Sequence, residues 1–150
     1  MLVVGHAREH SHSPCRVGGA DRPVATVARV WIGVAVMVVG SLVVAEVGRR
    51  SSAGRLDRNY LIGLRTRATL QSDEAWRAAH LAGGRTLVVA GLASAALSVI
   101  AGIAGAVSGE DTPVGLLLVV AAVVLAGGAV IAGQRGVAAA MQVAAQGDHP

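Results

Sequence analysis

The residues able to do specific chemistry crowd into one stretch, Asn59 to His80, which carries Arg65, Thr66, Thr69, Trp76 and His80 within 22 residues. Arg65 can present a planar fork of donors to a carboxylate, a phosphate or the carbonyls of a helix end. Thr66 and Thr69 can cap or turn the chain beside it. Gly63 allows a turn or a close backbone approach. Ser72, followed by Asp73 and Glu74, predicts a helix start, with a capping hydroxyl and then acids at the positive end of the dipole. Asp73 and Arg77 fall one turn apart on that helix, as do Trp76 and His80 on an adjoining face. Taken singly, each residue has a bland reading. A Trp beside a span is commonly an interface anchor, a loop arginine a topology or headgroup charge, and a lone His a hydrogen-bonded structural residue. It is the combination in one short connection that points to use.

A second candidate is the N-terminal set His6, His10, His12 and Cys15. Imidazole and thiolate are suitable metal ligands, but this spacing matches no established zinc pattern, so no metal or cofactor is expected. Cys15 is the only cysteine, which leaves no internal disulfide. It also lacks the apolar run that precedes a lipidated cysteine.

The elements that must position the polar stretch are apolar. Of the 150 residues 53% are hydrophobic but only 2% aromatic, with no Phe, and the mean hydropathy is +0.60. A soluble core of small aliphatics alone would pack poorly, whereas in a bilayer small residues let helices approach closely. Three uncharged or nearly uncharged runs follow: 24–47, interrupted by Arg29, then 86–109 and 112–134. The strictly uncharged part of the first, 30–45, is sixteen residues, short of the roughly 20 that span hydrocarbon unless Arg29 snorkels to one interface and Glu46 marks the other, with Trp31 as an anchor. In the second, Ala90, Ser94, Ser98, Gly102 and Ala106 form a stripe of small residues; Gly128 and Ala132 of the third begin another that Gly136 and Ala140 carry past it, so that helix is expected to continue to about Ala145 before Gly147 and Pro150 end it. Ser94 and Ser98 could donate to a neighbouring helix, although a serine in such a span more often bonds its own preceding turn. Glu110 to Pro113 reads as a tight turn, making spans two and three an antiparallel hairpin.

The fold expected is an all-α integral membrane protein of three transmembrane helices, with a short helix in the loop between spans one and two. That short helix either ends near Gly83 and Gly84 or runs directly into span two. Residues 1–23 read as a disordered tail, 24–146 as the membrane domain with its connecting loop at 48–85, and 147–150 as a second tail.

All thirteen basic residues are Arg, and the calculated pI is 11.0. Eight of them lie in the 48–85 connection, four N-terminal to it, and one after the third span. That distribution follows membrane topology rather than nucleic-acid binding. It predicts a cytoplasmic 48–85 loop and C-terminus, with the N-terminus and the acidic turn outside. An enzyme is not expected. There is no nucleophile–base set, no phosphate loop and no ionisable residue near the middle of a span, where transport pathways place one.

The string Asn59…Gly63-Leu64-Arg65-Thr66…Thr69-Leu70…Ser72…Trp76-Arg77…His80…Gly83-Gly84 resembles the signature of the SdpI family. These are bacterial membrane proteins named for a toxin-immunity protein, here in a short three-span form. It departs at one position, where Arg67 stands in place of the family's proline. The resemblance implies a multi-pass protein of the bacterial cell membrane, with a role in immunity to a secreted toxin. It further implies signal transduction, by holding a small winged-helix repressor at the membrane. The residues it singles out for partner binding are Asn59, Gly63, Arg65, Thr66, Thr69, Trp76 and His80. The lipid bilayer is the primary partner expected, with a homo-oligomer or partner complex and no direct nucleic-acid contact. The alternative function is a structural or accessory subunit of a membrane complex, in which the loop merely packs.

Overall fold

A computed structural model describes residues 24–56 and 63–147. The described residues form three helices: α1 (Val24–Ser52), α2 (Asp73–Ser108) and α3 (Asp111–Gly147). Each is long and apolar enough to cross a membrane. The His and Cys of the N-terminal stretch lie outside the described residues, as does Asn59.

Local signals set the helix ends. Ser72 is the N-cap of α2, accepting from the Ala75 N–H at 3.0 Å, and Asp73 and Glu74 occupy the first turn. Gly109 closes α2 in the left-handed region (φ 68°) and donates its N–H to the Gly105 carbonyl. Asp111 opens α3 after one further residue, Glu110, so α2 and α3 form the antiparallel hairpin expected from the turn residues. At the end of α1, Arg55 N–H reaches the Arg50 carbonyl and Gly54 N–H the Ser51 carbonyl, with Gly54 at φ 65°. That pair of bonds is a Schellman motif, and only a glycine takes its left-handed position without strain.

Among the described residues no separate short helix stands in the loop. The helix capped by Ser72 continues without a break through Gly83 and Gly84 into span two. Those glycines sit where neighbouring backbones come close: a Cβ on Gly83 would lie 2.7 Å from the Ala132 carbonyl oxygen of α3, and one on Gly84 2.6 Å from the Ser52 nitrogen of α1. They act as contact points rather than as a stop.

At 1.5 Å per residue, α2 and α3 are each about 54 Å long, against a hydrocarbon core of about 30 Å. Both helices therefore project beyond the bilayer at one end. Arg135 marks the exit, its guanidinium donating to Thr86 Oγ1 at 2.9 Å. Thr86 opens the uncharged run of α2 and Arg135 follows that of α3, so the two helices leave the apolar region at the same level. Beyond it, Ala75 and Ala79 of α2 pack on Ala140 of α3, with Ala68 and Val143 against them. The α3 helix thus runs well past the 112–134 span.

The α2 helix is central. Its small-residue stripe is buried from Ala90 through Ser94 and Ser98 to Gly102, and exposed at Ala106. On α3, Ala132, Gly136 and Ala140 are buried and Gly128 half-buried against Ala90. Large aliphatics point outward from all three helices, among them Val36 and Val39, Val89 and Ile103, and Val119 and Val123. In water such an apolar exterior would be unfavourable; in lipid it is the expected solvent-facing surface. Trp31 is exposed on α1.

Ser94 ties the three helices together at one level. Ser41 Oγ of α1 donates to Ser94 Oγ at 2.9 Å, and Ser94 Oγ donates to the Ala121 carbonyl of α3 at 2.9 Å. Ser98 instead bonds back to the Ser94 carbonyl at 2.8 Å. Of the two serines in the stripe, one serves a neighbour and one its own helix. Replacing Ser94 by alanine breaks both interhelical bonds at once. Bonds of this kind average about 0.6 kcal/mol with an upper range of about 1.7 kcal/mol, so a loss of about 1 kcal/mol in reversible unfolding from detergent micelles is expected.

Candidate functional site

The segment Gly63 to Ser72 folds onto the projecting ends of α2 and α3, and the side chains of the polar stretch divide into those that hold it and those that face outward. Trp76 and His80, one turn apart near the start of α2, are the floor. Trp76 is 2% exposed and His80 7% exposed, with ring centroids 4.2 Å apart. The interface-anchor reading of Trp76 therefore fails, because the ring is under the loop and not at a lipid surface. Its Nε1–H donates to the Leu56 carbonyl at 3.0 Å, pinning the chain just after α1.

His80 uses both ring nitrogens. Nδ1 lies 2.8 Å from the Trp76 carbonyl, which can only accept, and Nε2 accepts the Leu64 N–H at 3.1 Å. This network assigns the proton to Nδ1. Gly63 is what lets the backbone reach the ring. Its φ of 124° is a conformation that side chains avoid, and a Cβ there would lie 2.5 Å from His80 Nε2 and 2.8 Å from Trp76 Cη2. Close approach and turn are both required at this one residue.

Thr66 and Thr69 lock the next turn. Thr69 is fully buried; its Oγ1 accepts the Thr66 N–H at 2.9 Å and donates to the Leu64 carbonyl at 2.7 Å. Thr66 Oγ1 accepts the Thr69 N–H at 3.3 Å, and Leu70 N–H closes the turn on the Thr66 carbonyl at 3.1 Å. The turn over 67–70 thus forms with Arg67 in it, and reciprocal threonine bonds supply the order that a proline would otherwise give. Replacing Thr69 by valine keeps the shape but removes the hydroxyl. It leaves the Thr66 N–H and the Leu64 carbonyl without their partner, a loss of about 1–3 kcal/mol in loop docking. Hydrogen exchange at the Thr66 amide should speed up about tenfold or more in Thr69→Val and stay near the parent rate in Thr69→Ser.

Leu64 is the residue that reasoning from single residue types passed over. It points inward between Gly63 and Arg65, with its methyl groups over Gly133 and Gly136 of α3; a Cβ on Gly136 would lie 2.8 Å from Leu64 Cδ2. The available signal was the small stripe on α3, whose missing side chains leave room for a knob. Facing outward are Arg65 and Arg67, both exposed, with Thr66 half-buried between them. Arg55, Arg77 and Arg85 are exposed as well, so this end of the molecule carries a basic surface. Arg49 and Arg50, on α1, are engaged with Glu46 at 2.7–2.8 Å. Such exposed pairs contribute little to stability. Among the described residues no three of His, Cys, Asp and Glu converge as a metal site.

A chain of three apolar helices with a clamped polar loop between the first two is a helical membrane protein whose specific chemistry sits at one end of the bundle. The SdpI/YfhL protein family matches residues 55–133, more than half of the 150 residues, and the chain belongs to that family. The matched region begins within the connection after α1 and ends within α3 at Gly133, opposite Leu64. No curated protein and no solved structure matches the chain.

Proposed function

We propose that this chain is an SdpI-type protein of the bacterial cell membrane, non-catalytic, that contributes to immunity against a secreted toxin by engaging a cytoplasmic protein partner through residues 59–84. The observation that carries the reading is the division of labour in the loop. Gly63, Thr69, Trp76 and His80 are spent on holding one turn rigid, and that turn presents Arg65 and Arg67 outward. A preformed basic turn suits capture of an acidic patch on a protein such as a small winged-helix repressor, because little ordering entropy remains to be lost on binding. The arginine distribution favours a cytoplasmic loop and C-terminus, with the N-terminus outside. Three narrow helices with an apolar exterior further suit a homo-oligomer or a complex with a partner.

The same internal satisfaction of Trp76 and His80 also suits a loop that only packs, as in an accessory subunit. Arg67→Ala separates the two readings, since the side chain is exposed. In a sensitive bacterial host producing the chain and challenged with purified secreted toxins, the substitution should abolish protection while leaving the protein level unchanged. Protection equal to the parent's would sink the partner reading. Topology is checked in parallel with Gln71→Cys in a Cys15→Ser background: an impermeant thiol reagent should label it only after the cells are opened.

A further inference from the structure

Near the α2–α3 turn, Val34 of α1 packs with Ala101 and Val114, so all three helices meet there. Toward the loop, α1 and α3 part, and the cleft between them holds a cavity of about 320 Å³. Its walls are Val43, Val47, Leu87 and Ala129, and its polar end is formed by Ser51 and His80 under Gly63 and Leu64. This is within the usual size range of small-molecule sites, and like them it is apolar with few polar groups. His80 has no capacity to spare, since both its nitrogens are bonded. Ser51 is different. It is 1% exposed, and its hydroxyl has no hydrogen-bond partner. A buried hydroxyl left so is unusual and marks a place where a partner belongs.

The cavity also has a direction. Ser51 lies two turns of α1 from Val43, about 12 Å along the axis, and it neighbours the charged residues Arg49 and Arg50 that mark the interface. A ligand would therefore meet a polar group at interface depth and only hydrocarbon-like walls deeper in. We propose that this cavity binds a single-tailed amphiphile, with its hydroxyl or carboxyl head on Ser51 Oγ and its alkyl chain running along Val47 toward Val43 and Leu87. Because Gly63 and Leu64 form part of the same wall, the bound head touches the loop directly. This proposal does not rest on the immunity reading and would survive its failure.

The test uses the full chain in phospholipid nanodiscs, photolysed with trace diazirine-tagged palmitic acid and mapped by mass spectrometry. Labelling should concentrate on Val47 and Leu87 and be displaced by excess unlabelled palmitic acid. Ser51→Ala, which removes one hydrogen bond, should reduce that labelling by about three- to tenfold. Ala129→Phe, at the exposed rim of the cleft, fills the space and should abolish it, with the fold checked by unchanged elution in size-exclusion chromatography. Labelling spread evenly over the outward residues Val36, Leu92 and Val119 would overturn the proposal, as would wall labelling indifferent to both variants. A diazirine-tagged phosphatidylcholine is the second arm. If it labels Val47 and Leu87 as well as the fatty acid does, and Ser51→Ala changes nothing, the cleft holds bulk lipid chains and the proposed head-group site is wrong.

Discussion

Gly63→Ala should release the loop from the bundle and raise the rate of trypsin cleavage at Arg65 and Arg67 by about 30-fold or more. Two effects add. The native φ of 124° is strained for any residue with a side chain, at about 1–3 kcal/mol. The new methyl group would also stand 2.5 Å from His80 Nε2 and 2.8 Å from Trp76 Cη2. Neither ring can swing aside cheaply. His80 is held by the Leu64 amide and the Trp76 carbonyl, and Trp76 by the Leu56 carbonyl. Overpacking of this kind adds about 1–3 kcal/mol. Even the low end of the sum, about 2 kcal/mol, corresponds to about 30-fold in the open population, which is what proteolysis reads when opening is fast. Gly133→Ala is the control. A Cβ there meets only Leu64 Cδ1 at 3.7 Å, and cleavage should stay at the parent rate. An unchanged rate in Gly63→Ala would mean that the loop is not clamped on the His80–Trp76 floor.

The largest effect on the bundle itself is expected from Gly84→Leu. A Cβ at this position would lie 2.6 Å from the Ser52 nitrogen, 2.9 Å from the Gly48 carbonyl oxygen and 3.0 Å from Ser52 Cα. Every one of these atoms is backbone, so the strain cannot be relieved by a rotamer change and α1 must move away from α2. The contact is mutual, since a Cβ on Gly48 would stand 2.8 Å from the Gly84 carbonyl oxygen. A leucine adds three further carbons to that clash, and a loss above about 3 kcal/mol is expected, at the upper end of overpacking effects. The readout is geometric. Ser41 and Ser94 hydroxyls are 2.9 Å apart across α1 and α2, so cysteines at both positions, with Cys15→Ser, should form a disulfide readily. Gly84→Leu should lower its yield about tenfold or more. Gly115→Leu, where nothing lies within 4 Å of the Cβ, should leave it unchanged. Equal yields in the two variants would refute the close α1–α2 crossing.

These two glycines also show where reading the chain residue by residue stops. Gly63 was legible as a place for a turn, and Gly83 and Gly84 as a possible helix end, because glycine's conformational freedom is a local property. The neighbours that give each its role are distant in sequence. His80 is 17 residues from Gly63, and Ser52 and Ala132 belong to other helices. Glycine by itself does not say whether a missing side chain serves a turn, a stop or a contact.

What the chain alone determines is its layout. Uncharged runs long enough for a bilayer, the Ser72 cap with its two following acids, and the Glu110–Pro113 turn are short-range signals, and they predict three helices with one hairpin. The polar stretch and its likeness to a family were visible for the same reason, as residue types at fixed spacing. The roles within that stretch depended on how the helices sit against one another. Packing put Trp76 under the loop instead of at an interface, turned Leu64 into a knob on α3, and made Thr66 and Thr69 a lock that does not need proline. It also joined Ser41, Ser94 and Ala121 into one hydrogen-bonded level and left Ser51 facing a cavity without a partner. Hydropathy and capping act within a few residues of the chain, whereas burial and hydrogen-bond pairing at this site act between segments that only the helix crossings bring together.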